Sequence, residues 1–163
     1  VSGRADQPAR PAGLVIRPYA EADHDAVREL WCSAWEATYP AIDFRARWPL
    51  MLTRWRGMAG GIHLAVRDGA VAGMIVLDRT DLDQIAVAPA LFGSPVAAAL
   101  MDFAKALAGE RLTLTVNASN ARAIRFYERH GFVPTGTGVS PLSGLPTRIY
   151  QWRHRAVNIA NNS

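Results

Sequence analysis

An amide and a phenol stand seven residues apart in the stretch Asn120-Ala121-Arg122-Ala123-Ile124-Arg125-Phe126-Tyr127-Glu128-Arg129-His130-Gly131-Phe132. Ala123, Phe126 and Tyr127 recur at helical spacing, and Gly131 supplies a helix stop. On a helix Asn120 lies about two turns from Tyr127, so the amide and the phenol can address two points along one elongated ligand, the phenol as a proton donor. The same pattern fits a plain helix with an apolar stripe, so the surrounding residues have to decide.

Carboxylates come next. Asp81 and Asp83 flank the start of a β-rich run, Leu82 to Val87. Strict alternation puts them on one side together with Ile85 and Val87, where either can take a proton through water. A solvated strand end is the alternative, and Glu36 is a further candidate base. Trp31, Trp35, Tyr39, Phe44, Trp48 and Trp55 make the first third of the chain aromatic, for a core or for the wall of an apolar pocket. His24, His63, His130 and His154 have no metal-ligand spacing, so no metal is expected. His130 falls in the last turn of its helix, where a charged ring favours the dipole. Cys32, the single cysteine, lies among Leu30, Trp31 and Trp35 and reads as a buried structural thiol.

The elements that must position these groups follow from periodicity. Leu14 to Tyr19 reads as a strand, and a helix follows to Tyr39 with Val27, Leu30, Trp31, Ala34 and Trp35 on one face. Pro40 ends it. Asp43 can cap a second helix through Trp55, with Pro49 expected to kink or break it. Ile62 to Arg67 and Ala70 to Leu77 flank Asp68-Gly69, a hairpin signal. Further strands are expected at Leu82 to Val87, Arg111 to Val116, Phe132 to Thr137 and Thr147 to Trp152, with helices at Val96 to Ala108 and Ser119 to His130. Gly73 and the Gly60-Gly61 pair read as places where the backbone bends or is relieved of strain. The order βααβββαβαββ predicts an α/β layer fold with a mixed, mostly antiparallel sheet.

Composition narrows the classes. The 163 residues match one domain of about 13–153 with an arm (1–12) and a tail (154–163), and half are apolar, enough for a core. No apolar run is long enough to span a membrane, and the arm has no signal-peptide core, which points to a cytoplasmic protein. Of 18 basic residues only Lys105 is lysine. The arginines are scattered rather than clustered, so no nucleic-acid footprint is expected, although a net charge of +4 favours anionic ligands.

Over about Leu14 to Trp152 the chain resembles the GNAT superfamily of N-acetyltransferases. The motifs that carry the likeness are Ile85-Ala86-Val87 with Pro89, the loop and helix Gly93 to Met101, and Asn120-x-x-Ala-x-x-x-Tyr-x-x-x-Gly-Phe. The resemblance implies acetyl-CoA as co-substrate and a primary amine as acceptor, whether small molecule, amino acid or peptide N-terminus. Backbone groups of Ile85, Ala86 and Val87 would pair with the pantetheine arm, and Gly93, Ser94, Val96, Ala97 and Ala98 would cradle the pyrophosphate at a helix start. Asn120 would bond the pantetheine, Tyr127 would protonate the leaving thiolate, and Trp35 and Tyr39 would line the acceptor pocket. Members of the family are often dimers, so the resemblance leaves a homodimer open, and the sequence does not identify the oligomeric state.

Three positions depart from the family pattern. Pro95 stands where a glycine is usual and removes a phosphate-facing N–H, although Ser94-Pro95 also reads as N-cap and first helical residue. One lost bond to a phosphate weakens binding about tenfold to a hundredfold. Phe92 replaces a common Gln or Arg. Thr115 occupies a position where relatives acting on ribosomal protein N-termini often carry Glu, and a threonine takes no proton at neutral pH. A CoA-binding protein without transferase chemistry is therefore a second reading, and an Arg-rich nucleic-acid binding domain a remote third.

Overall fold

The computed structural model describes residues 10–155. The segments read as arm and tail lie outside the described residues, apart from 10–12 and 154–155. Seven strands, β1 (Leu14–Pro18), β2 (Gly61–Arg67), β3 (Ala70–Asp78), β4 (Asp81–Val87), β5 (Arg111–Asn117), β6 (Val133–Val139) and β7 (Pro146–Arg153), form a sheet in the order β1-β2-β3-β4-β5-β7-β6. Four helices flank it: α1 (His24–Thr38), α2 (Phe44–Arg56), α3 (Val96–Ala108) and α4 (Ala121–Arg129). Neighbouring strands are antiparallel except β4 and β5, so the mixed, mostly antiparallel sheet expected from the sequence is the one observed. Asp68 and Gly69, both at positive φ (51° and 77°), turn the β2–β3 hairpin as the dipeptide predicts.

Strand β3 explains why the sheet carries helices on both faces. Met74 and Val76 enter one core with α1 and α2, while Ile75 and Leu77 enter another with α3 and Ile124 of α4. All four are fully buried, giving the continuous apolar run of a two-sided strand. In the first core Trp31 packs edge-on against Trp55 at 5.4 Å and against Phe44 at 5.6 Å, with Trp48 5.8 Å away. These four rings are core, not pocket.

Pro49 does not break its helix. Asp43 Oδ1 accepts from the Ala46 amide at 3.0 Å and fixes the start of α2, which then runs unbroken to Arg56. Burial of Trp48, Met51, Leu52 and Trp55 offsets the roughly 3 kcal/mol that an interior proline costs.

Gly73 is needed for close approach rather than for an unusual φ. A Cβ there would sit 2.9 Å from Leu100 Cδ1, 3.1 Å from the Ala86 carbonyl oxygen and 3.1 Å from Val87 Cγ1. Gly73→Ala therefore pushes α3 and β4 off β3 and should destabilise the fold by about 1–3 kcal/mol. Urea denaturation measures this, and an unchanged midpoint would show that the layers have room to spare.

Candidate active site

β4 and β5 run parallel but pair only at Asp81 with Thr113 and at Leu82 with Leu114. Beyond that point they diverge. The divergence opens a cleft of about 420 Å³, walled by α1 (Ala34, Trp35, Thr38), by β4 from Leu82 to Val87 and by β5 from Thr115 to Asn117. Phe92, Gly93, Ser94, Ala97 and Ala98 close one end, and α4 lies along it with Asn120, Arg122, Ala123, Phe126, Tyr127 and His130.

The conformation of β4 differs from strict alternation. Val76 of β3 faces Gln84 while Leu77 faces Leu82, so Asp83 is an extra residue, a β-bulge. It turns towards α2, where its carboxylate accepts from Arg54 Nη1 at 3.1 Å, Arg54 Nη2 at 2.5 Å and Trp55 Nε1 at 2.8 Å. Gln84 lies on the same face and accepts from Trp31 Nε1 at 3.2 Å. Ile85 and Val87 pack on the opposite, α3 side. The expectation that Asp81 and Asp83 share a side with Ile85 and Val87 thus fails at the bulge. Asp83 lines the cleft, whereas exposed Asp81 lies outside it in a neighbouring recess with Thr113 and Leu114. Glu36 is not among the cleft residues and pairs with Arg45 at 3.2 Å.

The edge of β4 that faces the cleft has no strand beside it beyond Leu82, leaving backbone donors and acceptors around Ile85, Ala86 and Val87 for an extended ligand. Gly93, at φ +81°, turns the chain into α3. Pro95 sits at φ −67° and ψ −4° as the residue before the assigned helix, one position later than the Ser94 cap read from the sequence. The Ser94 amide donates to the Leu91 carbonyl at 3.0 Å, and the Val96 amide contacts Ser94 Oγ at 3.4 Å. Val96 itself is buried in the core and is not a lining residue. The amides of Ala97 and Ala98, in the first turn of α3, have no acceptor inside the helix.

Asn120 is the N-cap of α4 rather than part of its body. Its Oδ1 accepts from the Ala123 amide at 3.2 Å, which leaves the NH₂ group free to donate into the cleft. Tyr127 packs against Phe126 and Phe132, with ring centroids 5.6 and 5.8 Å away, and its hydroxyl has no hydrogen bond to the described residues. Burial pushes the phenol well above its ordinary value. The end of this helix is held by Lys105, whose ammonium donates to the His130 carbonyl and lies over the rings of Phe132 and Trp152. His130 is shifted towards the neutral form, first by burial and then by the Lys105 and Arg129 charges, so the dipole partner expected of it is Lys105 instead.

On the α1 wall Trp35 lines the cleft, stacked between Tyr39 and Phe44 at 5.9 and 5.8 Å. Tyr39 stands behind it and does not line the cleft. Its hydroxyl accepts from Asn117 Nδ2 at 3.1 Å and ties the end of α1 to β5. Thr115 faces the cleft, and Cys32 is buried with its thiol pushed up by burial, the structural role expected of it. Sequence reasoning missed Thr38, Gln84, Asn117, Arg122 and Phe126 as lining residues. Two signals pointed to some of them. Thr115 and Asn117 alternate with buried Leu114 and Val116, and Arg122, Phe126 and Tyr127 share a helical face.

Comparison with known proteins agrees with this geometry. Residues 24–132 match the model of the Acetyltransferase (GNAT) family. The chain belongs to that family. It is 30% identical over 126 residues, 76% of this chain and 84% of the relative, to the peptidyl-lysine N-acetyltransferase YjaB of Escherichia coli strain K12. The solution structure of apo YjaB superposes with a TM-score of 0.69 at 25% identity, covering 85% of this chain and 96% of that one. The PaiA N-acetyltransferase of Thermoplasma acidophilum, solved with coenzyme A, shares the fold at TM-score 0.67 and 17% identity over 86% and 99% of the two chains. The GNAT chain described here thus has an acyltransferase fold of a kind that generally binds acetyl-CoA, and no helix among its described residues is long and apolar enough to cross a membrane.

The cap that Asn120 supplies can be tested by itself. Asn120→Ala should destabilise the fold by about 1 kcal/mol, while Asn120→Asp, which still caps, should leave thermal stability near the parent. Calorimetric melting of the two variants is the check, and equal losses would place the role of Asn120 elsewhere than in the cap.

Proposed function

We propose that this chain is an acetyl-CoA-dependent N-acetyltransferase that moves the acetyl group directly to a primary amine. The supporting observation is that the open β4 edge, the Gly93-to-Ala98 helix start, the free Asn120 amide and the Tyr127 phenol line one cleft. The pantetheine arm would lie along Ile85 to Val87 as an added strand, with its amide groups bonded to that edge and to Asn120. The pyrophosphate would meet the first turn of α3, and the acetyl group would face Trp35, Thr38 and Thr115.

In the reaction the amine nitrogen forms a bond to the thioester carbonyl carbon and the carbon–sulfur bond breaks. The electron pair leaves on sulfur, which takes the proton of Tyr127, and the phenolate recovers a proton from water. A backbone N–H of β4 would polarise the carbonyl oxygen as charge builds there. Burial weakens the phenol as an acid, but it also raises the basicity of a thiolate leaving into the same environment, so donor and acceptor stay matched. On the acceptor side Asp83 already accepts three hydrogen bonds, which leaves about one of its four lone-pair sites. We assign that site to the acceptor amine or to the water that carries its proton away. The acceptor is a small molecule, an amino acid or a peptide amine, and YjaB, a peptidyl-lysine N-acetyltransferase, adds lysine side chains to the panel to be screened.

Tyr127→Phe should lower kcat by about a hundredfold or more while calorimetric CoA affinity stays within a factor of two or three, the signature of a group used in the chemical step. Unchanged turnover would remove its role. CoA binding without thiol release over a broad amine panel would favour the alternative of a CoA-binding GNAT protein that lacks transferase chemistry.

A pH profile tests the acid independently. The amine must be neutral, so kcat/KM should climb towards the acceptor pKa of about 8 for an α-amine or about 10.4 for a lysine. With the phenol pKa raised, Tyr127 stays protonated throughout that climb and no descending limb is expected below about pH 10. A fall that begins near pH 9 and disappears in Tyr127→Phe would contradict the burial argument.

A further inference from the structure

The loop that should cradle the phosphates is poor in donors. Pro95 has no N–H, the Phe92 amide donates to the Pro89 carbonyl at 3.2 Å, the Ser94 amide donates to the Leu91 carbonyl at 3.0 Å, and the Val96 amide faces Ser94 Oγ. Only the amides of Gly93, Ala97 and Ala98 remain among the loop and first turn, and position 92 carries an apolar ring. A pyrophosphate bound there needs more compensation than three neutral amides offer.

A cation stands beside that deficit. The Arg122 guanidinium lies over the Phe92 ring, 4.0 Å from its centroid, and both residues line the cleft with Gly93 and Ser94. Arg17, Arg45, Arg54 and Arg56 each reach a carboxylate, whereas among the described residues Arg122 has no ion pair. A contact with the ring face holds the guanidinium in place without using its N–H groups, so they stay available for the oxygens of an anion. Arg122 also sits in the first turn of α4 beside Asn120, between the residue assigned to the pantetheine and the loop assigned to the phosphates.

We propose that Arg122, held over the 92–96 loop by Phe92, is a phosphate-binding residue of this cleft and makes up for the donors that the loop lacks. The inference rests on the coenzyme A reading above and goes beyond it by assigning the recognition of the anionic end of the carrier to a side chain of α4. Phe92, which departs from the family pattern, then has a function as the platform that orients this arginine. Carrier choice depends on it: the site distinguishes a phosphate-bearing pantetheine from a bare one chiefly through Arg122.

The test uses the full chain and compares Arg122→Ala and Arg122→Gln with the parent. CoA and dephospho-CoA are titrated by calorimetry, and pantetheine by chemical-shift titration, which reads weak binding. Both variants should bind CoA about tenfold to a hundredfold more weakly, with pantetheine affinity unchanged. An equal loss for dephospho-CoA assigns Arg122 to the pyrophosphate, and a loss confined to CoA assigns it to the 3′-phosphate; either supports the proposal. Arg122→Gln keeps a stem over Phe92, so a loss shared by both variants, at a parental melting temperature, is a charge effect and not a packing effect. Unchanged CoA affinity, or equal losses for CoA and pantetheine, would overturn the inference. A parent chain that binds no CoA would instead refute the functional reading on which it rests.

Discussion

Past Leu82 and Leu114 the two parallel strands β4 and β5 stop pairing, and the rest of the molecule is arranged around that interruption. A sheet interior without cross-strand bonds leaves backbone groups that must find partners. In this chain the split faces an open cleft, where solvent or an extended ligand can meet them. The bulge at Asp83 begins where the pairing ends, and a bulge bends and twists its strand. Arg54 and Trp55 grip Asp83 from α2, so the bend is anchored to the aromatic core rather than free to slip back into register. The β3 residues around it are buried on both sides and hold β4 from the other edge.

The split must also be walled by groups that keep their places when the cleft fills. Asn117 and Tyr39 tie β5 to the end of α1 at one wall. At the opposite wall α4 is held by the Asn120 cap at its start, by the Tyr150 hydroxyl, which donates to Glu128, and by the Lys105 ammonium at its end. Lys105 is the one lysine in a chain that otherwise uses arginine, and its site offers a reason. The ammonium is compact enough to sit over the rings of Phe132 and Trp152 and still reach the His130 carbonyl, where a planar guanidinium is bulkier. Burial lowers its pKa, the cost of placing that charge at the helix end. Tyr127 is one turn from this contact, so the orientation of the phenol follows from how firmly α4 is held at both ends.

Local signals were legible in the sequence, and relations between distant segments were not. The Asp68-Gly69 turn, the Gly131 stop and the Asp43 cap each depend on a few consecutive residues, and the structure has them where periodicity puts them. The succession of strands and helices along the chain followed from the spacing of apolar runs. The bulge at Asp83 left no trace, because a one-residue slip is defined only against the partner strand. At Pro49 the sequence shows the local cost of a proline, while the burial of the Trp48 and Trp55 rings that keeps the helix continuous is not visible in it. Asn117 with Tyr39, and Arg122 with Phe92, are pairs separated by long stretches of chain, and nothing in either member's neighbourhood announces the other.

Within the cleft the two halves of the chemistry are built on different kinds of support. The groups assigned to the thioester and its leaving sulfur are backbone edges and a capped helix, positioned by hydrogen bonds that the fold makes anyway. The acceptor side is assembled from side chains already committed to other partners: Trp35 in an aromatic stack, Asp83 in an ion pair, Asn117 on Tyr39. These side chains therefore hold the wall as well as line it, and a change at any of them would disturb a contact that α1 or α2 makes. A threonine at position 115 is consistent with that division. Thr115 brings no base to this wall, so in the reading proposed above the proton of the amine would leave by way of Asp83 and water.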